Sequence, residues 1–113
     1  MPEPSRGEVW LVDLSPTKGH ERSGRRPGVV VSVDLFNHGP AGLVVMLPIS
    51  TVAKGVPLHV QVNPPEGGLK QRSFVKCEDV RSVAKERLLR RVGAVSPHTM
   101  DGVEDRLRIL LNL

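Results

Sequence analysis

The feature that most constrains this chain is its succession of short apolar runs, each only a few residues long and punctuated by Gly, Pro, Asn or Asp. Glu8–Leu14, Gly28–Asp34, Leu43–Ile49, Leu58–Val62, Ser73–Cys77, Val80–Val83 and Leu88–Val95 are each too short for a typical helix and rich in Val. Evenly spaced runs of this kind, with turn residues between them, predict a small antiparallel β-barrel. Leu58–Val62 alternates cleanly, so Leu58, Val60 and Val62 are expected to point inward and His59 and Gln61 to face solvent. Pro48 is expected to put the end of its strand near an edge or bulge. The stretch Leu35–Pro40 breaks the second run, as one helical turn ended by Gly-Pro.

The period changes at the end of the chain. Ser96 and Pro97 form an N-cap and first-position pair. Met100, Val103, Leu107, Leu110 and Leu111 then fall on one helical face, which predicts a C-terminal helix over residues 97–111. Residues 1–6, polar and Pro-rich, are read as a loose arm, and residues 1–113 as a single domain. The chain has 113 residues, 39% of them hydrophobic and 25% charged, an ordinary globular composition. No apolar run approaches the roughly 20 residues that a membrane-spanning helix needs. The lone Cys77 excludes an internal disulfide and suits a reducing cytoplasm, and the scattered His residues have no zinc-ligand spacing.

One segment breaks the apolar rhythm. Ser15–Pro27 lies between two strands yet contains no aliphatic or aromatic residue, and it gathers Lys18, Arg22, Arg25 and Arg26 around Glu21 and His20. Loops of this length are usually functional or disordered. Pro27 biases Arg26 toward extended backbone, and a preorganised guanidinium suits phosphate. A second basic concentration spans residues 70–91, where Lys70, Arg72, Lys76, Arg81, Lys85, Arg87, Arg90 and Arg91 outnumber Glu78, Asp79 and Glu86. A net charge of +4 allows a nucleic-acid partner. With one Trp, two Phe and no Tyr, such a partner would be read by Arg, Lys and polar groups rather than by a stacking platform.

Longer motifs are more specific. Arg6-Gly7-Glu8-Val9-Trp10-Leu11-Val12-Asp13-Leu14-Ser15-Pro16-Thr17, then Gly19-His20-Glu21 and Gly24-Arg25-Arg26-Pro27, resemble the opening of the MazF/PemK/Kid toxins, endoribonucleases of type II toxin–antitoxin pairs. Val31-Ser32-Val33, Phe36-Asn37, Pro48-Ile49-Ser50-Thr51, Val75-Lys76-Cys77-Glu78 and Arg81-Ser82-Val83 continue the likeness in order, over roughly residues 6–111. His20-Glu21 and Lys76-Cys77-Glu78 are closer to the PemK/Kid/ChpB branch.

The resemblance implies a mainly β (α+β) fold, an SH3-like antiparallel barrel with a C-terminal helix, that forms a homodimer and is neutralised by a cognate antitoxin. It implies cleavage of single-stranded RNA without a metal or other cofactor, by attack of the ribose 2′-OH to give a 2′,3′-cyclic phosphate and a 5′-OH. Arg26 matches the family's catalytic Arg, and Ser50 its active-site Thr, with Thr51 as a substitute hydroxyl. His20 matches a catalytic His, with Glu21 beside it, and Lys76 and Glu78 stand where that branch has Arg and Asp. The general base is left open among His20, Glu21 and Glu78. Lys18, Arg22, Arg25, Lys54, Arg87 and Arg90 are the expected RNA-binding residues. The competing readings are a gyrase-poisoning toxin of CcdB type on the same fold and a catalytically silent RNA- or antitoxin-binding module.

Overall fold

The computed structural model of the chain describes residues 3–14 and 24–113. The elements run β1 (Glu8–Asp13), β2 (Arg25–Val30), α1 (Asp34–Asn37), β3 (Leu43–Ser50), β4 (His59–Val62), β5 (Ser73–Lys76), β6 (Arg81–Ala84), β7 (Leu88–Ala94) and α2 (Pro97–Leu111), with 3₁₀ turns at Glu66–Gly68 and Lys85–Arg87. All strand pairs are antiparallel. The seven-stranded sheet has the order β4-β5-β3-β2-β1-β7, with β6 branching from β3.

This order corrects the expected SH3-like barrel: the α+β class and the C-terminal helix hold, but the sheet does not close. Among the described residues no ladder joins β7 to β4 or β6. The 3₁₀ turn packs on the face of β7 that Gly93 shares with Val9, where a Cβ added at Gly68 would lie 2.1 Å from the Val92 carbonyl oxygen, and one at Gly93 2.5 Å from the Gly67 carbonyl carbon.

The two prolines inside strands sit where no ladder loses a donor. Pro27 pairs only with Leu11 of β1, because β3 joins β2 from Gly28 onward. Pro48 is on a central strand rather than at an edge. On the side away from β2, β3 is paired to β6 through Met46 and to β5 from Ile49, so Pro48 falls in the gap between partners. β2 also starts three residues before the predicted Gly28, because Arg25 and Arg26 pair with Asp13 and Val12.

Alternation divides the core in two. Val9, Val29, Leu47, Ile49, Val62, Val75 and Cys77 point to one face, where Val95, Met100 and Val103 from the α2 side cover them. Trp10, Val12, Val30, Val44, Met46 and Val83 fill a second cluster on the other face. β3 is therefore buried on both faces, with Met46 and Leu47 exposed by 2% and 0%.

α2 begins with Ser96 Oγ accepting from Thr99 N at 3.1 Å, followed by Pro97 at the first helical position. Glu66 reinforces this end, accepting from Ser96 N and from the Thr99 hydroxyl at the positive pole of the helix. The helix stops at Asn112, which is left-handed with φ 58°. Leu110 and Leu111, expected on the inner face, are substantially exposed, as are Ile109 and Leu113. Residues 3–6 are tied down rather than loose: His38 Nε2 lies 3.0 Å from the Pro4 carbonyl, Arg6 N donates to Asp34, and Arg6 pairs with Glu104 at 2.6 Å. Among the described residues no helix is long and apolar enough to cross a membrane.

Candidate functional site

The basic loop is the β1–β2 hairpin connection, closed at its feet by Leu14 N donating to Gly24 O at 2.9 Å. Lys18, His20, Glu21 and Arg22 lie outside the described residues. Arg26, on β2, is opposite Val12 and on the face of the second core cluster, at its open end. With Arg81, Pro48 and Met46 it lines a small apolar-walled cavity. Among the described residues no carboxylate pairs with the Arg26 guanidinium.

Strand register assembles the rest of this face. β2 and β3 pair Gly28 with Pro48, where their ladder ends; Arg26 lies two residues before Gly28 and Ser50 two after Pro48, so alternation gives both the same face. Ser50 pairs with Phe74 on β5, and Phe74 with Gln61 on β4. The next row along holds Lys76 opposite His59.

The individual groups are held differently. Ser50 is buried, and its Oγ accepts from Val52 N at 3.1 Å, which caps the turn leaving β3. Thr51, by contrast, is exposed. Lys76 and Glu78, expected to act as a pair on one strand, are not paired: β5 ends at Lys76 and a turn follows, with Asp79 N donating to Lys76 O. Lys76 Nζ lies 3.8 Å from Asp79 Oδ2, and Arg81 binds Asp79 through both carboxylate oxygens at 2.9–3.2 Å. Glu78 instead pairs with His59, Nε2 to Oε2 at 2.8 Å.

His59, Asp79 and Arg81 are thus site neighbours that sequence reasoning did not single out. His59 is not the solvent-facing residue expected, for its side chain is only 4% exposed. Alternation did place it off the apolar face of β4, where Glu78 from the turn after β5 meets its imidazole. The acidic residue of the Asp79-x-Arg81 spacing was the one available signal, since an i, i+2 acid–Arg pair at a strand entrance can close a bidentate bond.

The proposed RNA-binding residues do not all reach this face. Arg25 is opposite Asp13, one residue out of phase with Arg26 and therefore on the other face. Arg87 donates to the Asp13 carbonyl at 3.2 Å, and Arg90 is exposed on β7 opposite Leu11, beyond β1. Lys54 is exposed in the connection between β3 and β4. Cys77 is fully buried on the opposite face, and burial pushes its thiol up to about 11, so it is no nucleophile here. Among the described residues no group of three or more His, Cys, Asp or Glu could hold a metal ion.

Residues 5–111 match the family of PemK-like, MazF-like toxins of type II toxin–antitoxin systems. The chain belongs to this family. It is 37% identical over 113 residues to endoribonuclease MazF9 of Mycobacterium tuberculosis, with 96% of each chain covered. Among solved structures it is similar to MazF of Deinococcus radiodurans, with a TM-score of 0.87, 26% identity and both chains covered completely. It is also similar to a mycobacterial endoribonuclease in complex with its cognate antitoxin, with a TM-score of 0.80 and 26% identity over 100% of this chain and 97% of the other.

Proposed function

We infer that this protein is a sequence-specific endoribonuclease toxin of a type II toxin–antitoxin pair, cleaving single-stranded RNA by a metal-independent route. The reaction needs no metal because its nucleophile is in the substrate. The 2′-OH loses its proton to a general base, O2′ bonds to the adjacent phosphorus, and the P–O5′ bond breaks with protonation of the leaving oxygen. The products are a 2′,3′-cyclic phosphate and a 5′-OH, and DNA, lacking the nucleophile, is not cut.

In this reading Arg26 stabilises the charge that grows on the phosphorane oxygens, for which a guanidinium with no carboxylate partner among the described residues is suited. Arg26, with no carboxylate partner among the described residues and on the same face as Ser50, is what supports the proposal. Thr51 supplies the accessible hydroxyl, since Ser50 Oγ is engaged with Val52 N. Lys76 adds positive charge at the groove, and His20, Glu21 and Glu78 are the acid–base groups. Lys18, Arg22 and Lys54 guide the RNA backbone, with Arg25 acting from the other face of β2 and Arg87 and Arg90 from beyond β1.

A cognate antitoxin covers the basic groove and a second copy of the chain completes it. The exposed apolar end of α2, formed by Ile109, Leu110, Leu111 and Leu113, supports such pairing. The working compartment is the cytoplasm, where RNA is at hand and the free thiol of Cys77 stays reduced.

Incubation of the purified protein with long single-stranded RNA in EDTA, followed by analysis of the termini, tests the reading. Cyclic phosphate and 5′-OH ends that disappear in Arg26→Ala are the expected result. RNA left intact across diverse sequences would overturn it.

A further inference from the structure

The buried imidazole beside Glu78 has no place in the roles above, and its surroundings are informative. His59 comes from β4 and Glu78 from the turn after β5, so their meeting depends on the β4–β5 register, which sets His59 opposite Lys76. The side chain of His59 is 4% exposed while that of Glu78 is 35% exposed. One partner is therefore fixed in the protein and the other reaches solvent. Nε2 of His59 contacts Glu78 Oε2 at 2.8 Å, and Nδ1 is buried with no hydrogen-bond partner among the described residues.

The orphaned Nδ1 decides the tautomer. A buried N–H without an acceptor costs roughly 1–3 kcal/mol. A neutral imidazole carrying its proton on Nε2 avoids that cost, because the proton is donated to the Glu78 carboxylate and Nδ1 keeps only a lone pair. Both ring nitrogens are thereby withheld from substrate, Nε2 by Glu78 and Nδ1 by burial. It orients a carboxylate.

We propose that His59 is a positioning residue for Glu78: it binds Oε2 from inside the sheet and turns Oε1 toward the groove, to take the 2′-OH proton. The inference rests on the endoribonuclease reading above. During attack the proton passes from O2′ to Glu78 Oε1 as the O2′–P bond forms. The P–O5′ bond breaks and the leaving oxygen takes a proton from solvent. His59 keeps its own proton throughout. Lys76, opposite His59, is directed to Asp79, and so leaves Glu78 to the imidazole.

Single-turnover cleavage of a long single-stranded RNA, measured over a range of protein concentrations, tests this. His59→Leu is expected to slow cleavage at saturation about tenfold, part of the 10²–10⁴ that a positioned acid or base contributes, with the half-saturating concentration unchanged. His59→Gln, whose amide nitrogen can donate from near the Nε2 position, is expected to restore most of the rate, whereas the shorter His59→Asn is not. In a Glu78→Gln background His59→Leu should add nothing further. Thermal melting identifies any variant that fails to fold. Should His59→Leu fail in that way, the Gln and Asn variants carry the comparison.

Wild-type cleavage rate in both His59→Leu and His59→Asn would overturn the proposal. So would an equal slowing in the Glu78→Gln background, or a change confined to half-saturation. Wild-type protein that leaves RNA intact overturns the endoribonuclease reading itself, before any His59 variant is made. Normal wild-type cleavage with indifferent His59 variants overturns only the positioning role.

Discussion

Two faces of the same four strands, β2, β3, β5 and β4, have opposite characters. One carries Val29, Leu47, Ile49, Val75 and Val62, sealed by α2. The other carries Arg26, Ser50, Phe74, Lys76 and His59, one residue out of phase along the same strands. The period-2 alternation of a strand lets adjacent residues serve different purposes without compromise. The second face is also apolar near β1 and β6, through Val30, Val44 and Met46, but beyond them it holds a guanidinium with no carboxylate partner among the described residues and the His59–Glu78 contact. The comparison teaches where substitutions should separate activity from folding.

The sharpest separation is expected at Arg26. Arg26→Ala should reduce RNA cleavage by about 10²–10³-fold, the cost of losing one donor to developing charge, with an unchanged melting temperature. Arg26→Lys should recover little, since an ammonium cannot make the forked contact. A large fall in melting temperature would break the division between faces.

The reverse is expected on the sealed face. Met100, 6% exposed, packs from α2 in the first cluster, on the opposite face of the sheet from Arg26. Met100→Ala should cost about 3 kcal/mol in chemical denaturation and leave the cleavage rate per folded molecule intact.

Acid should weaken the sealed face through Glu66. Burial raises its affinity for a proton, but the hydrogen bonds from Thr99 and Ser96 outweigh this and hold it below its ordinary value of 4.5. A carboxylate lowered by folding adds stability above the unfolded value, and that stability is lost as pH falls through the folded one. Melting temperature should therefore drop below about pH 4.5, and Glu66→Gln should flatten that part of the curve while lowering the plateau above it.

The smallest effect is expected at Gly102, inside α2. A Cβ there would meet Arg106 Nη1 at 3.6 Å and Val60 at 3.9 Å, ordinary contact distances. Gly102→Ala should stabilise the protein by up to about 1 kcal/mol, read from the denaturation midpoint, without altering cleavage.

Two of the candidate site positions were legible before the fold: Arg26, because Pro27 follows it in a basic segment without aliphatic or aromatic residues, and Ser50-Thr51, through the likeness of Pro48-Ile49-Ser50-Thr51 to the toxin family. The Lys76–Glu78 pairing was not, because the strand stops at Lys76 and the turn sends Glu78 to His59 instead. A period-2 count carried past the end of a strand gives the wrong face.

Local pattern by itself determined the strands, their buried sides, the cap and start of α2, and the family. Those depend on neighbours along the chain and on motifs at fixed spacing. Tertiary structure alone decided that the sheet stays open, that β3 changes partner beside Pro48, and that His59 is enclosed next to Glu78. Each of these follows from pairing between distant segments. Alternation states which face a residue takes, and says nothing of which strand, turn or helix will cover it.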